Sequence, residues 1–251
     1  FSGAEKLINE AIAKKQLPGA VLLIGRKSGT IYNKAFGHRA LLPAVEDMTT
    51  DTIFDLASLS KCVGTTTSIM ILIDRGKIDP HEKVATYMPE FGKHGKEAIT
   101  VEDLLLHRGG LVPDNPEKDY EDGPQKAWER ICDLQPKSKP GEKFVYSDVG
   151  FIVLGKLVEK MAGKPLDQFA AEEVFKPLGM TDTMYNPPAS LKSRCAPTEQ
   201  RKGQWIRGEV HDPRSYSLGG VAGHAGVFST TEDLSKFCRM ILNGGELDGK
   251  R

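Results

Sequence analysis

Two strand-like runs, AVLLIGRK at residues 20–27 and TIYNKAF at 30–36, constrain this chain more than anything else in it. A tight turn at Ser28-Gly29 joins them, and both are rich in β-branched and aromatic residues, the signature of a β-hairpin. Just ahead of them Ala4, Leu7, Ile8, Ala11 and Ile12 recur at helical spacing, which predicts one amphipathic helix ending near Gln16, before Pro18. One helix laid on two strands cannot bury both faces of the hairpin. The hairpin therefore needs partner strands, and the sequence from Leu56 onward offers few good candidates. The expectation is that those strands lie beyond Arg251.

After Leu56 the pattern turns to helices and long loops. Thr100 with Asp103, and Thr230 with Asp233, are T-x-x-D caps that open helices. The later of these helices carries Leu234, Phe237, Cys238, Ile241 and Leu242 and ends at Gly244-Gly245. A third helix carries Leu154, Leu157, Val158 and Met161 and stops at Gly163, and a fourth covers about 166–175. Residues 187–226, rich in Gly, Arg and Ser, read as an extended wall or loop system. With 251 residues the chain is long enough to bury a real core.

Charge and cysteine content narrow the function classes. Lys and Arg number 34, as do Asp and Glu, so the net charge is zero and nothing draws in nucleic acid or an anionic membrane. No apolar run is long enough to span a bilayer, and the run Ile69 to Ile73 reads as a buried helix turn. Cys62, Cys132, Cys195 and Cys238 show no C-x-x-C pair, so they read as core thiols, with one pairing left open.

The segment DLASLSKCVGTT, residues 55–66, carries the chemistry. A serine hydroxyl is a poor nucleophile at neutral pH unless a base lies within hydrogen-bond reach. Read as a helix from about Ser58 to Ile73, stopped at Arg75-Gly76, the segment puts Ser58 and Lys61 on one face and turns Ser60 elsewhere. Ser58 also falls in the first turn, where free N–H groups and the positive end of the helix dipole favour developing negative charge. Taken alone, the same pair fits a capping serine beside a solvated lysine.

Longer stretches add what this spacing lacks. FDLASLSK, DRGKIDPHEKVATYMPEF (74–91), ITVEDLLLHRGGL (99–111), PGEKFVYSDVGFIVLGKLVEKMAGKPL with PLGMTDTMY, and GVAGHAGVFSTTEDLSKF follow in order over nearly the whole chain. Together they resemble the penicillin-recognising serine hydrolases, the group of class C β-lactamases, D-Ala-D-Ala carboxypeptidases and esterases. The resemblance implies an α+β, β-lactamase-like fold: a helical subdomain beside an antiparallel sheet with a flanking N-terminal helix, the C-terminal strands of the sheet absent from this chain. Residues 1–55 would form the helix and hairpin, and 56–251 the mostly helical part, in one incomplete catalytic domain.

The resemblance also assigns roles. Ser58 would attack a carbonyl of a β-lactam, a D-amino-acid peptide or an ester and form an acyl-enzyme. Lys61 and Tyr146, the tyrosine of YSD, would move the proton. Where the family commonly has Asn, this chain has Asp148, which accepts hydrogen bonds but cannot donate them. Asp148 reads equally as a substrate-side partner that holds Lys61 and as the N-cap of the following helix, and its charge tilts the substrate toward esters or small peptides. His107 reads as a turn residue, and His211 and His224 as parts of a pocket wall. No metal and no cofactor is implied. GHAG (223–226) tempts comparison with the family's third motif, but a capped helix follows it at once, so the third motif is expected beyond Arg251. The partners are then a small-molecule substrate and the missing C-terminal segment. A periplasmic or secreted location is an expectation from family analogy alone, with Phe1 read as the start of a trimmed N-terminus. The rival reading is a non-catalytic relative that uses the same cleft for binding or scaffolding.

Overall fold

The structure, a computed structural model, describes Phe1 to Lys250. Helix α1 (Ser2–Ala13) ends a little before the expected point, and Lys15 then takes a left-handed φ of 57°. Strands β1 (Gly19–Arg26) and β2 (Gly29–Ala40) form the hairpin, antiparallel, with Leu22 opposite Lys34 and a bulge at Ile24/Gly25. The expectation that its partners all lie beyond Arg251 needs correcting. Strand β3 (Glu46–Asp47) pairs with β2 and gives the order β1-β2-β3, while β1 pairs with β2 alone among the described residues.

Strand β4 (Phe54–Asp55) leads into a π-helical turn at Lys61–Thr66 that runs on as α2 (Thr67–Asp74), closed by Gly76 at φ 67°. Next come α3 (Val84–Tyr87) and α4 (Val101–Leu105), the latter opened by the expected capping box between Thr100 and Asp103. Helix α5 (Pro124–Asp133) begins with proline, where the missing N–H costs nothing. Its last turn is capped by the buried Lys96, whose ammonium donates to Cys132 O at 2.9 Å. Helix α6 (Asp148–Ala162) follows, then α7 (Leu166–Ala170) with a π turn at Ala171–Phe175. Gly163 ends α6 in the left-handed conformation, φ 69°.

The expected wall at 187–226 is more ordered than its composition implied. It holds a hairpin of β6 (Pro197–Arg201) and β7 (Gln204–Arg207), and then α8 (Pro213–Ser217), with β5 (Met184–Tyr185) just before it. Strand β8 (Val227–Ser229) lies between β4 and β5 in a second small sheet, and α9 (Thr231–Leu242) closes the described chain under its Thr230 cap.

The chain divides into two compact units. One comprises Phe1–Asp55, Phe175–His211 and the residues from Phe228 onward, and holds the three sheets and α9. The other, Leu56–Val174 with Asp212–Val227, is helical and built around α6, which packs against α2, α3, α4 and α7. Its core includes Ile69, Leu72, Leu104, Val149, Val153, Leu154, Leu157 and Val158, all but sealed from solvent. Two expectations about burial fail. Met70, inside the apolar run at 69–73, is 53 % exposed because it falls on the outer face of α2. Cys62 and Cys238 are exposed, whereas Cys132 and Cys195 are core thiols, and all four are free.

Candidate active site

The two serines of the DLASLSK segment have opposite environments. Ala57 takes a positive φ of 49°, unusual for a residue with a side chain, and turns the chain sharply so that Ser58 is exposed just ahead of the helix. Ser60 is fully buried, and its Oγ accepts the Val227 N–H at 3.0 Å. Ser60 is scaffold, and Ser58 faces outward. One turn on, Lys61 Nζ donates to Ser58 Oγ at 3.0 Å, the i,i+3 contact the spacing predicts. No main-chain hydrogen bond ties up the Ser58 N–H among the described residues, so it is free to donate.

Lys61 is only 3 % exposed, and three groups lie against its Nζ. Besides Ser58 these are the His224 carbonyl at 3.2 Å and Asp148 Oδ1 at 2.6 Å. The Asp148 contact is an ion pair held by charge more than by an aligned hydrogen bond. The reading of Asp148 as N-cap of α6 is corrected. Ser147 is the cap, its Oγ accepting the Gly150 N–H at 3.1 Å, and this frees the Asp148 carboxylate to turn toward Lys61.

Tyr146 approaches Lys61 by its ring face, with Nζ 4.8 Å from the ring centroid. Its hydroxyl has no hydrogen bond to Ser58 or Lys61 among the described residues, and the side chain is 45 % exposed. His107 holds this segment in place. At φ 55° it turns the chain after α4; its carbonyl accepts the Val145 N–H at 2.8 Å and its Nδ1 accepts the Ser147 N–H at 3.0 Å, while its ring stacks on Tyr146 at 4.4 Å. Burial, and then the charge of Lys61, pushes the His107 imidazole below its ordinary value, which suits a ring nitrogen that accepts.

The GHAG segment is not on a strand. Residues 223–226 form a loop leading into β8, and His224 is 1 % exposed with Nε2 2.8 Å from Asp212 Oδ1. Asp212 also accepts the Ser215 N–H at 2.7 Å as the N-cap of α8. Burial raises the Asp212 carboxyl, but the His224 hydrogen bond and charge, the Ser215 N–H and Arg214 outweigh it and hold it at about 2. Sequence reasoning missed Asp212 altogether. His211 lies in the sheet unit, its ring and N–H both on Asp55 Oδ2 at 2.9 Å. One group among the described residues could hold a metal: Asp148, Asp212 and His224 offer ligand atoms within 4.8 Å of one another. Lys61 Nζ already lies against Asp148 there, so a divalent cation would have to compete with an ammonium.

Comparison with known proteins matches the family model described as Beta-lactamase to residues 4–251. The chain belongs to the beta-lactamase family. A Bacillus subtilis (strain 168) protein named N-acetylmuramyl-L-alanine amidase is 35 % identical, over 91 % of this chain and 60 % of its own length. An Escherichia coli (strain K12) protein with the provisional name D-alanyl-D-alanine carboxypeptidase is 33 % identical, over 91 % of this chain and 61 % of its own length. This member of the family thus spans about three fifths of these curated relatives. A solved class C beta-lactamase from Rhodobacter sphaeroides superposes with a TM-score of 0.82 over all of this chain and 68 % of that one, at 21 % identity, a likeness of fold. The α+β, β-lactamase-like architecture is therefore established.

Proposed function

We propose that this beta-lactamase-family protein is a serine hydrolase that works through an acyl-enzyme, with Ser58 as nucleophile. The observation that carries this reading is an exposed Ser58 Oγ held 3.0 Å from the buried ammonium of Lys61. Ser58 Oγ bonds to the substrate carbonyl carbon, the carbonyl π pair moves onto its oxygen, and the Ser58 N–H donates to that oxyanion. The serine proton passes to the Lys61–Tyr146 pair and then to the leaving group; water afterwards cleaves the ester by the same route in reverse. As a neutral amine Lys61 can accept the serine proton, whereas as an ammonium it can only donate.

Asp148 holds Lys61 from the substrate side and can accept a hydrogen bond from a substrate N–H or ammonium, but cannot donate to a substrate carbonyl. That chemistry and the names of the two relatives favour an amide in a small peptide-bearing substrate over a β-lactam. The test is reaction of the natural full-length protein with a fluorophosphonate and with a fluorescent penicillin, read by intact mass. A single fluorophosphonate adduct that disappears with Ser58→Ala supports the reading. No adduct with either reagent would leave a protein that uses the cleft for binding alone.

A further inference from the structure

The GHAG loop and Val227 after it make several hydrogen bonds to the nucleophile segment. Gly223 O accepts from Thr65 Oγ1 at 2.7 Å, and His224 O accepts from Lys61 Nζ at 3.2 Å. Val227 donates its N–H to Ser60 Oγ at 3.0 Å and accepts the Leu56 N–H at 2.9 Å. Behind it the loop is pressed on α6 so closely that a Cβ on Gly223 would fall 1.8 Å from Phe151 O. Leu218, Val221, Ala222 and Gly223 also line a cavity of about 320 Å³, with Ile152 and Gly155 of α6 among its other walls. Side-chain packing does not fill it, so on that side the loop has no apolar support.

Polar contacts add to the packing against α6. Asp212 is fixed as the cap of α8 and binds the buried His224 ring at 2.8 Å, and Ser215 of the same helix donates to Ala225 O at 3.0 Å. These bonds close a ring, from Asp212 through His224 and Ala225 to Ser215 and back to the cap. We propose that Asp212 and His224 are positioning residues, a bolt that fixes the GHAG loop so that the His224 carbonyl aims the Lys61 ammonium at Ser58. The inference rests on the reading of Ser58 as nucleophile.

The test uses the natural full-length protein and a fluorophosphonate, recording both the labelling rate constant and the fraction finally labelled. Asp212→Ala should lower the rate constant about 10²-fold, the cost of a misplacement near 1 Å, while the labelled fraction still reaches the wild-type level. Asp212→Asn keeps an oxygen that accepts from both Ser215 and His224 and should stay within about threefold. A bond that merely stabilised the fold would lower the melting temperature of the alanine variant and leave the rate constant of its folded fraction unchanged; that result overturns the proposal. Should Asp212→Ala fail to fold, His224→Gln takes its place, with a slowed rate constant expected and an unchanged one contrary. Absence of label on the wild-type protein would instead bring down the reading of Ser58, and the bolt with it.

Discussion

Helices α1 and α6 belong to the same chain and are both amphipathic, yet α1 has no buried residue and α6 has nine in its fifteen. The difference extends to their units. Around α6 even polar side chains are sealed and paired: Ser60, Lys61, Thr65, Ser147, Ser215 and His224 are all buried and all bonded. Around α1, strand β1 has no fully buried residue, and Leu7 and Ile31 are 68 % and 48 % exposed. A site that works by preorganised charge needs fixed polar groups shielded from water, and the helical unit holds such groups beside Ser58. In the sheet unit, the apolar residues of β1 are only partly covered.

The sharpest way to break that contrast is at the two serines. Ser58→Ala should abolish covalent labelling and leave stability nearly untouched, because Ser58 is exposed. Ser60→Ala should keep labelling but cost about 1–3 kcal/mol in chemical denaturation, since it leaves the buried Val227 N–H without an acceptor. Next in size, Lys61→Ala should slow acylation by about 10²–10⁴-fold in single-turnover kinetics. Tyr146→Phe and Tyr146→Ala divide the tyrosine between hydroxyl and ring. A large loss in the Phe variant assigns proton transfer to the hydroxyl, whereas a loss confined to Ala assigns support of Lys61 to the ring face, and in neither case should the loss add fully to that of Lys61→Ala.

Packing offers a smaller and purely structural comparison. Leu154→Ala, at a site with no exposure, should cost about 2–5 kcal/mol, and Leu7→Ala less than about 0.5 kcal/mol, both read from denaturant midpoints. The smallest effect concerns acid. Glu46 in the sheet unit, bound first by Arg207 and then by Arg39, lies at about 2, as does Asp212 in the helical unit. Both folded values are depressed, so each carboxylate contributes stability that is fully present above its ordinary unfolded value near 4 and is lost as pH falls toward 2. Glu46→Gln should flatten the acid limb of the stability curve modestly, and Asp212→Asn should flatten it too.

What the sequence made legible is what short-range geometry controls. The Ser58–Lys61 contact follows from a three-residue spacing, the caps at Thr100 and Thr230 from T-x-x-D, and the end of α6 from Gly163. The hairpin was visible because its strands are long and its turn is tight. Strands β3, β6 and β7 were not, because two to five residues carry no readable alternation. A shift of one residue hid the cap of α6: Ser147 and Asp148 are both good capping types, and only the demand of Lys61 for a carboxylate separates them. Asp212 with His224, and His107 with Ser147, are hydrogen bonds between distant segments, and no periodicity announces such pairs.

The central claim is that one serine of DLASLSK reacts and the other supports. The most direct measurement is fragmentation mass spectrometry of the fluorophosphonate-labelled protein, on the tryptic peptide that ends at Lys61 and contains both serines. The account predicts fragment ions that place the whole adduct on Ser58, with Ser60 unmodified. An adduct on Ser60, whose hydroxyl is buried against Val227, would contradict the placement of the nucleophile and with it the proposed mechanism.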